Sequence, residues 1–303
     1  MIELDGVGKT YRPVLGRAVC AVEDVSLHIH TGEVFGIAGP NGAGKSTLIA
    51  LLLGYLRPTT GEIRIAGLRP RDYIERYGIG YLSELIGIPP RWTVRSALAR
   101  YAVLAGVPDA EVGGRVEEVV ERLGLEEHRD KRVKELSKGT LQRLGLAQAL
   151  LRSEAVFVLD EPTHGLDPLW TVRFRELVAT IRRPDRAIVI ASHNLEELER
   201  LADRVAIVDR GRLQRVVEVS RVMPMTSAAV YRLTVAAGAA HVAAVFEGAV
   251  DLGRGEYGVV AADLAELNRK VAALIERGTL LAGIAPAQSA LEQEFREAIG
   301  EVV

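Results

Sequence analysis

Residues 39–47 read GPNGAGKST, a glycine, four intervening residues and then Gly-Lys-Ser-Thr, set between an apolar run and a helical one. That spacing suits phosphate. Glycines at 42 and 44 let the backbone curl. Amides across Gly39, Asn41, Gly42, Ala43 and Gly44 can then turn inward on phosphate oxygens, and the following helix adds the positive end of its dipole. Lys45 has the reach for β- and γ-phosphates, the Ser46 hydroxyl suits Mg²⁺, and Thr47 can offer a hydroxyl toward the α-phosphate. A bare glycine turn has no packing use for the Lys-Ser pair. The loop predicts a nucleoside triphosphate held with Mg²⁺.

Two further stretches carry acids and bases. AVFVLDEP at 155–162 is an apolar strand that closes on adjacent carboxylates, which is costly unless they meet a cation or a reacting group. Asp160 is predicted to hold Mg²⁺ through a water. Glu161 then reaches past the metal to orient and deprotonate a water attacking the γ-phosphate. The plainer alternative is that both acids cap the next segment. His193 directly follows the apolar run AIVIAS, at the C-terminal edge of a sheet, where ligands gather in open α/β folds. It can bond the γ-phosphate, or simply start the next helix.

The stretch LSKGT at 136–140 raises a different question, because it opens the amphipathic run LQRLGLAQALL with a serine and a glycine. Ser137 suits a helix cap. A helix start rich in free N–H groups is equally an anion site, yet the phosphate loop lies far upstream.

The elements that must position these residues follow from periodicity. VFGIAG (34–39), AVFVLD (155–160), AIVIAS (187–192) and RVAIVD (204–209) read as buried strands. Helical patterns lie near 45–54, 95–106, 112–123, 140–151, 168–183 and 194–202. Alternation of the two predicts an α/β fold with a largely parallel, doubly covered sheet. IELDGVGKTY and AVEDVSLHIH alternate like an antiparallel sheet, and about 84–153 reads as a helical insertion. A boundary is expected near 220, in VSRVMPMTS, giving domains 1–220 and 221–303. The second reads strand-helix-strand-strand-helix-strand, which suits a small ferredoxin-like α+β unit.

Bulk properties exclude several classes. A net charge of −2 over 303 residues gives no general pull toward nucleic acid or an anionic membrane, and no nucleic-acid partner is expected. Cys20 is the sole cysteine, so no internal disulfide can form, and no Cys/His cluster has metal-ligand spacing. The first residues lack the pattern of a signal peptide, and the longest apolar runs are of strand length. The expected location is cytosolic.

Phosphate loop, LSKGT, LDEP, GLD (165–167) and SH (192–193), in that order, resemble the nucleotide-binding subunit of the ATP-binding cassette family over about residues 1–215. The resemblance implies a P-loop NTPase core with an antiparallel β subdomain and an inserted helical subdomain. It implies ATP hydrolysis with Mg²⁺, a second copy of the chain closing head-to-tail over ATP, and a separate transmembrane permease subunit that holds the protein at the inner face of the membrane. Tyr11 takes the position of an aromatic ring stacked on adenine, although an ordinary strand tyrosine would look the same. Ser137 and Gly139 match the signature loop that donates to the partner copy's γ-phosphate, and Asp167 matches an aspartate that couples the two sites. Lys138 and Thr140 depart from the usual Ser-Gly-Gly-Gln. Glu84, in IGYLSEL, stands where a glutamine contacting Mg²⁺ is usual, and its carboxylate can still ligate the metal. GYLSE, the signature stretch and the C-terminal SALEQEFREAIGE look most like bacterial exporter-type subunits, with 84–107 as the surface gripping the permease. A non-transport cassette ATPase, or a regulatory one whose C-terminal domain dimerises or senses a ligand, remains the alternative.

Overall fold

A computed structural model describes residues 1–12, 16–219, 229–286 and 290–300. Two compact units appear, Met1–Val219 and Ser220–Val303. Most of the expected boundary stretch lies outside the described residues.

In the first unit, β1 (Ile2–Tyr11) pairs antiparallel with β2 (Val19–Ile29) on one side and with β4 (Thr60–Ile65) on the other. The second sheet has six strands in the order β5-β6-β7-β3-β8-β9. These are β5 (Gly80–Leu82), β6 (Val156–Asp160), β7 (Ala187–Ser192), β3 (Val34–Ala38), β8 (Arg204–Asp209) and β9 (Arg212–Glu218). All its pairs are parallel except β8 with β9. Strands β3, β6 and β7 are buried at every position, which is why they read as unbroken apolar runs and not as alternating ones. Between the two sheets, α1 (Lys45–Leu52) buries Leu48, Ile49, Leu51 and Leu52. Its core joins Ile2, Val25 and Ile65 of the antiparallel sheet to Val158 and Val189 of the parallel one.

The helical insertion holds α3 (Val94–Leu104), α4 (Asp109–Arg122) and α5 (Lys138–Ala149). A capping box sets the start of α3: Thr93 Oγ1 accepts from Ser96 N–H at 3.2 Å, and Ser96 Oγ accepts from Thr93 N–H at 3.0 Å. Helices α6 (Pro168–Ile181) and α7 (Leu195–Leu201) complete the crossovers between parallel strands. Strands β4, β5 and β9 and helix α2 (Pro70–Tyr77) are not among the elements expected from periodicity. Three residues of β5 are too few to show a period, and Pro70 at the start of α2 looks like a turn signal in sequence.

The second unit has β10 (Ala229–Ala237), α8 (Val242–Val245), β11 (Val250–Gly253), β12 (Glu256–Ala261), α9 (Leu264–Glu276), β13 (Leu280–Pro286) and α10 (Ala290–Ile299). Its sheet runs β11-β12-β10-β13 with every pair antiparallel, the strand order of a ferredoxin-like unit. Tyr231, Leu233 and Val235 point into a core with Val242, Phe246, Leu267 and Leu274, while Val230 and Arg232 alternate outward.

Candidate functional site

The C-terminal ends of β3, β6 and β7 bring the loops 39–47, 160–164 and 192–193 to one edge of the sheet. A pocket of about 430 Å³ opens there. Its lining includes Asn41, Gly42, Gly44, Lys45, Ser46 and Thr47 from the first loop, and Asp160, Glu161 and His193 from the others, with Glu84 after β5. Residues 120 positions apart in the chain therefore face one volume because the parallel sheet aligns their strand ends.

The loop is shaped by close backbone approach. Gly44 sits at φ +107, and a Cβ there would come within 2.5 Å of the Ala21 carbonyl oxygen, so no side chain fits. Helix α1 starts at the next residue without a side-chain cap, which leaves its first N–H groups facing the pocket. Lys45 is buried, and its Nζ donates to the Gly39 carbonyl at 2.6 Å and the Pro40 carbonyl at 3.2 Å. Burial pushes the ammonium's pKa down, while the Glu161, Asp160 and Glu84 carboxylates pull it up.

Glu161 follows β6 in the left-handed region at φ +46, where a side chain other than glycine's is strained. Three hydrogen bonds hold that turn. Glu161 N–H donates to the Ala191 carbonyl at 2.8 Å, and the buried Gln142 amide donates to the Glu161 and Pro162 carbonyls at 3.1 and 3.0 Å. The Glu161 carboxylate accepts from His193 N–H at 3.0 Å, from Ser192 Oγ at 3.2 Å, and from His193 Nδ1 at 2.8 Å. With Nδ1–H committed to Glu161, His193 can donate to a phosphate only by carrying its second proton on Nε2.

Asp160 is 6% exposed, and its pKa is raised to about 6. Burial contributes most, the Glu84 and Glu161 carboxylates add to it, and the Lys45 ammonium opposes it. Asp160, Glu84 and the Ser46 hydroxyl line one volume with oxygen donors of the kind that Mg²⁺, a hard cation, takes. The fold here favours the protonated acid. The stabilisation it gives is complete below the ordinary carboxylate pKa of about 4 and is lost as pH rises through about 6. The difference between about 4 and about 6 corresponds to about 3 kcal/mol, so Asp160→Asn is expected to raise the melting temperature of the cation-free protein at pH 7.5 by several degrees while removing Mg²⁺-dependent turnover. Calorimetry at pH 4, 6 and 7.5 checks this. A variant melting below wild type at pH 7.5 would contradict it.

Tyr11 does not line the pocket but stands at its rim, with Oη 3.5 Å from Thr47 Oγ1. Ser137, Gly139 and Asp167 are outside the lining too. Ser137 is exposed and caps α5 by accepting Thr140 N–H at 3.2 Å. Asp167 caps α6, accepting Trp170 N–H at 2.9 Å. Thr140, which replaces the usual glutamine, lies 2.8 Å from Ser137 Oγ and accepts from Arg143 Nη2 at 3.3 Å. Sequence reading missed Gln142 and His164. A buried amide on the apolar run LQRLGL was the available sign for Gln142, whereas His164 reaches the pocket only through the turn at Glu161.

Comparison with known proteins points one way. A family model described as ABC transporter matches residues 22–164. The methionine import ATP-binding protein MetN of Geobacillus kaustophilus is 39% identical over 220 residues, covering 70% of this chain and 64% of the relative. The Nod factor export ATP-binding protein I of Paraburkholderia xenovorans is 37% identical over 218 residues, covering 70% of this chain and 68% of the relative. The chain thus spans less than two thirds of the first relative's length. A dimeric structure of MJ0796, a bacterial ABC transporter cassette, superposes with a TM-score of 0.67 at 25% identity, over 72% of this chain and 99% of that one. The chain belongs to the ABC transporter family, and the residues that match its model lie in the first unit.

Proposed function

We propose that two copies of this chain close head-to-tail over two MgATP, hydrolyse it, and so drive a separate membrane-spanning subunit. The observation that carries this reading is the placement of the 136–140 turn. It is an exposed, capped helix start outside the pocket of its own chain, so its free donors serve a phosphate held elsewhere. That a solved ABC transporter cassette is dimeric supports the pairing of two copies.

In each site the phosphate loop and Lys45 bind the triphosphate, and Tyr11 at the rim packs on the base. Ser46, Asp160 and Glu84 would hold Mg²⁺, which when bound neutralises the β- and γ-phosphate charge. Glu161 orients a water in line with the γ-phosphate and takes its proton, and for that it must turn one carboxylate oxygen away from the donors at 192–193. His193 keeps hold of the other oxygen and, with both ring nitrogens protonated, bonds the γ-phosphate. Ser137 and Gly139 of the second copy supply donors that exist only after closure, and Asp167 links the two sites. Completing the site in trans makes hydrolysis conditional on closure.

Among the described residues no helix is long and apolar enough to cross a membrane, and this reading gives the membrane-spanning part to a separate polypeptide. We place the chain at the inner face of the membrane through that polypeptide. The exposed Leu85, Val103 and Leu104 belong to the stretch 84–107 that would grip it. We assign the direction as export from GYLSE, the signature stretch and the C-terminal extension. The curated relatives include both an import and an export protein. Detergent extraction of a tagged chain is expected to recover a multi-span protein whose reconstitution raises MgATP turnover. Recovery of this chain alone, with turnover indifferent to any membrane protein expressed with it, would contradict the transport coupling.

A further inference from the structure

Lys138, the first residue of α5, donates from Nζ to His164 Nε2 at 2.8 Å. An ammonium has only donors, so Nε2 is the acceptor and the ring's proton sits on Nδ1. His164 belongs to the wall of the nucleotide pocket, and its own N–H donates to the Glu161 carbonyl at 3.1 Å. Lys138 belongs to the turn at 136–140, which lies outside that pocket's lining. The contact therefore joins the pocket of one chain to the donor turn of the same chain, across 26 residues of sequence.

Packing reinforces the link. Gly165 sits at φ +82, and a Cβ there would come within 2.9 Å of the Lys138 side-chain carbons. A Cβ on Gly139 would meet the Gly165 carbonyl oxygen at the same distance. The lysine stem thus lies along a backbone that has room for it only because no side chain intervenes.

We propose that Lys138 and His164 form a positioning pair that couples the two nucleotide sites. This rests on the two-copy reading above. ATP filling the pocket packs against His164, the restraint passes to Lys138, and the flanking Ser137 and Gly139 are ordered for the second copy's phosphate. Ordering that is already complete when the copies meet does not have to be supplied at closure, which makes binding at the two sites cooperative. Lys138 accordingly acts on its own chain's pocket wall, and not as added charge on the partner copy's phosphate.

The test is a double-mutant cycle in MgATP turnover across ATP concentrations, with wild type, Lys138→Met, His164→Leu, both together, and His164→Gln. Lys138→Met keeps the stem on Gly165 and removes only the donor. Each single variant is expected to lower kcat by about 3- to 10-fold and to bring the Hill coefficient from well above 1 to about 1, with the double variant no worse than either single. His164→Gln, whose amide oxygen can accept from Lys138, restores both. Binding of MgATP to Lys138→Met in a Ser137→Arg background, which blocks closure, stays within about 2-fold of its parent. Losses that multiply in the double variant, an unchanged Hill coefficient in Lys138→Met, a glutamine that fails to rescue, or a wild-type Hill coefficient of about 1 would each overturn the pair. A Glu161→Gln protein that stays monomeric in MgATP would overturn the two-copy reading itself. If that protein dimerises while the losses multiply, only the pair falls.

Discussion

Glu161→Gln is expected to lower MgATP turnover by about 10³-fold and to leave an ATP-holding dimer that persists through gel filtration. The substitution removes the proton acceptor and changes little else. Gln can still accept His193 N–H through Oε1, its Nε2 can donate to Ser192 Oγ, and its backbone keeps the bonds to Ala191 and Gln142 that hold the left-handed turn. Binding groups, namely Lys45, Ser46, Asp160 and the loop amides, are untouched. Turnover and dimer stability should therefore move in opposite directions. A variant that hydrolyses ATP at near-wild-type rate would remove Glu161 as the base.

Ser137→Arg should block closure while leaving nucleotide binding by the single chain intact. The residue is exposed and lies outside its own pocket, so a long cation there obstructs nothing in the monomer. Under the two-copy reading it fills the space that a second copy's γ-phosphate enters. Loss of the Ser137 cap on α5 costs about 1 kcal/mol by itself, so Ser137→Ala serves as the control that loses the cap without the bulk. The expected result is turnover down by at least about 10²-fold for arginine, with MgATP affinity of the monomer within about 2-fold of wild type. Weakened binding to the monomer, or ATP-driven dimerisation as strong as wild type, would count against a site completed in trans.

Much of this was legible because the chemistry lies in contiguous stretches at strand ends. GPNGAGKST and LDEP each carry their ligands next to the apolar run that buries them, so motif and element could be read together. Burial on both faces made β3, β6 and β7 plain. The remainder depends on contacts between distant segments. Strand β5 is three residues long and exists through its pairing with β6. The link from Lys138 to His164 needs the left-handed turn at Glu161 and the bare backbone of Gly165, neither of which shows in a local pattern. Ser137 was legible as a cap, and the structure makes it one. Its exposure and its place outside its own pocket's lining are tertiary facts, and the two-copy proposal rests on them.

The composite site is tested most directly by mixing two inactive proteins. Lys45→Ala cannot hold the triphosphate, and Ser137→Arg cannot complete its partner's site, so neither is expected to hydrolyse ATP alone. In a mixed dimer the intact phosphate loop of the Ser137→Arg chain meets the intact turn of the Lys45→Ala chain, and one whole site forms. With equal amounts half the dimers are mixed and each has one site of two, so turnover up to about a quarter of wild type should appear on mixing. If the mixture stays as inactive as its components, the phosphate loop and the 136–140 turn do not share one ATP across two chains.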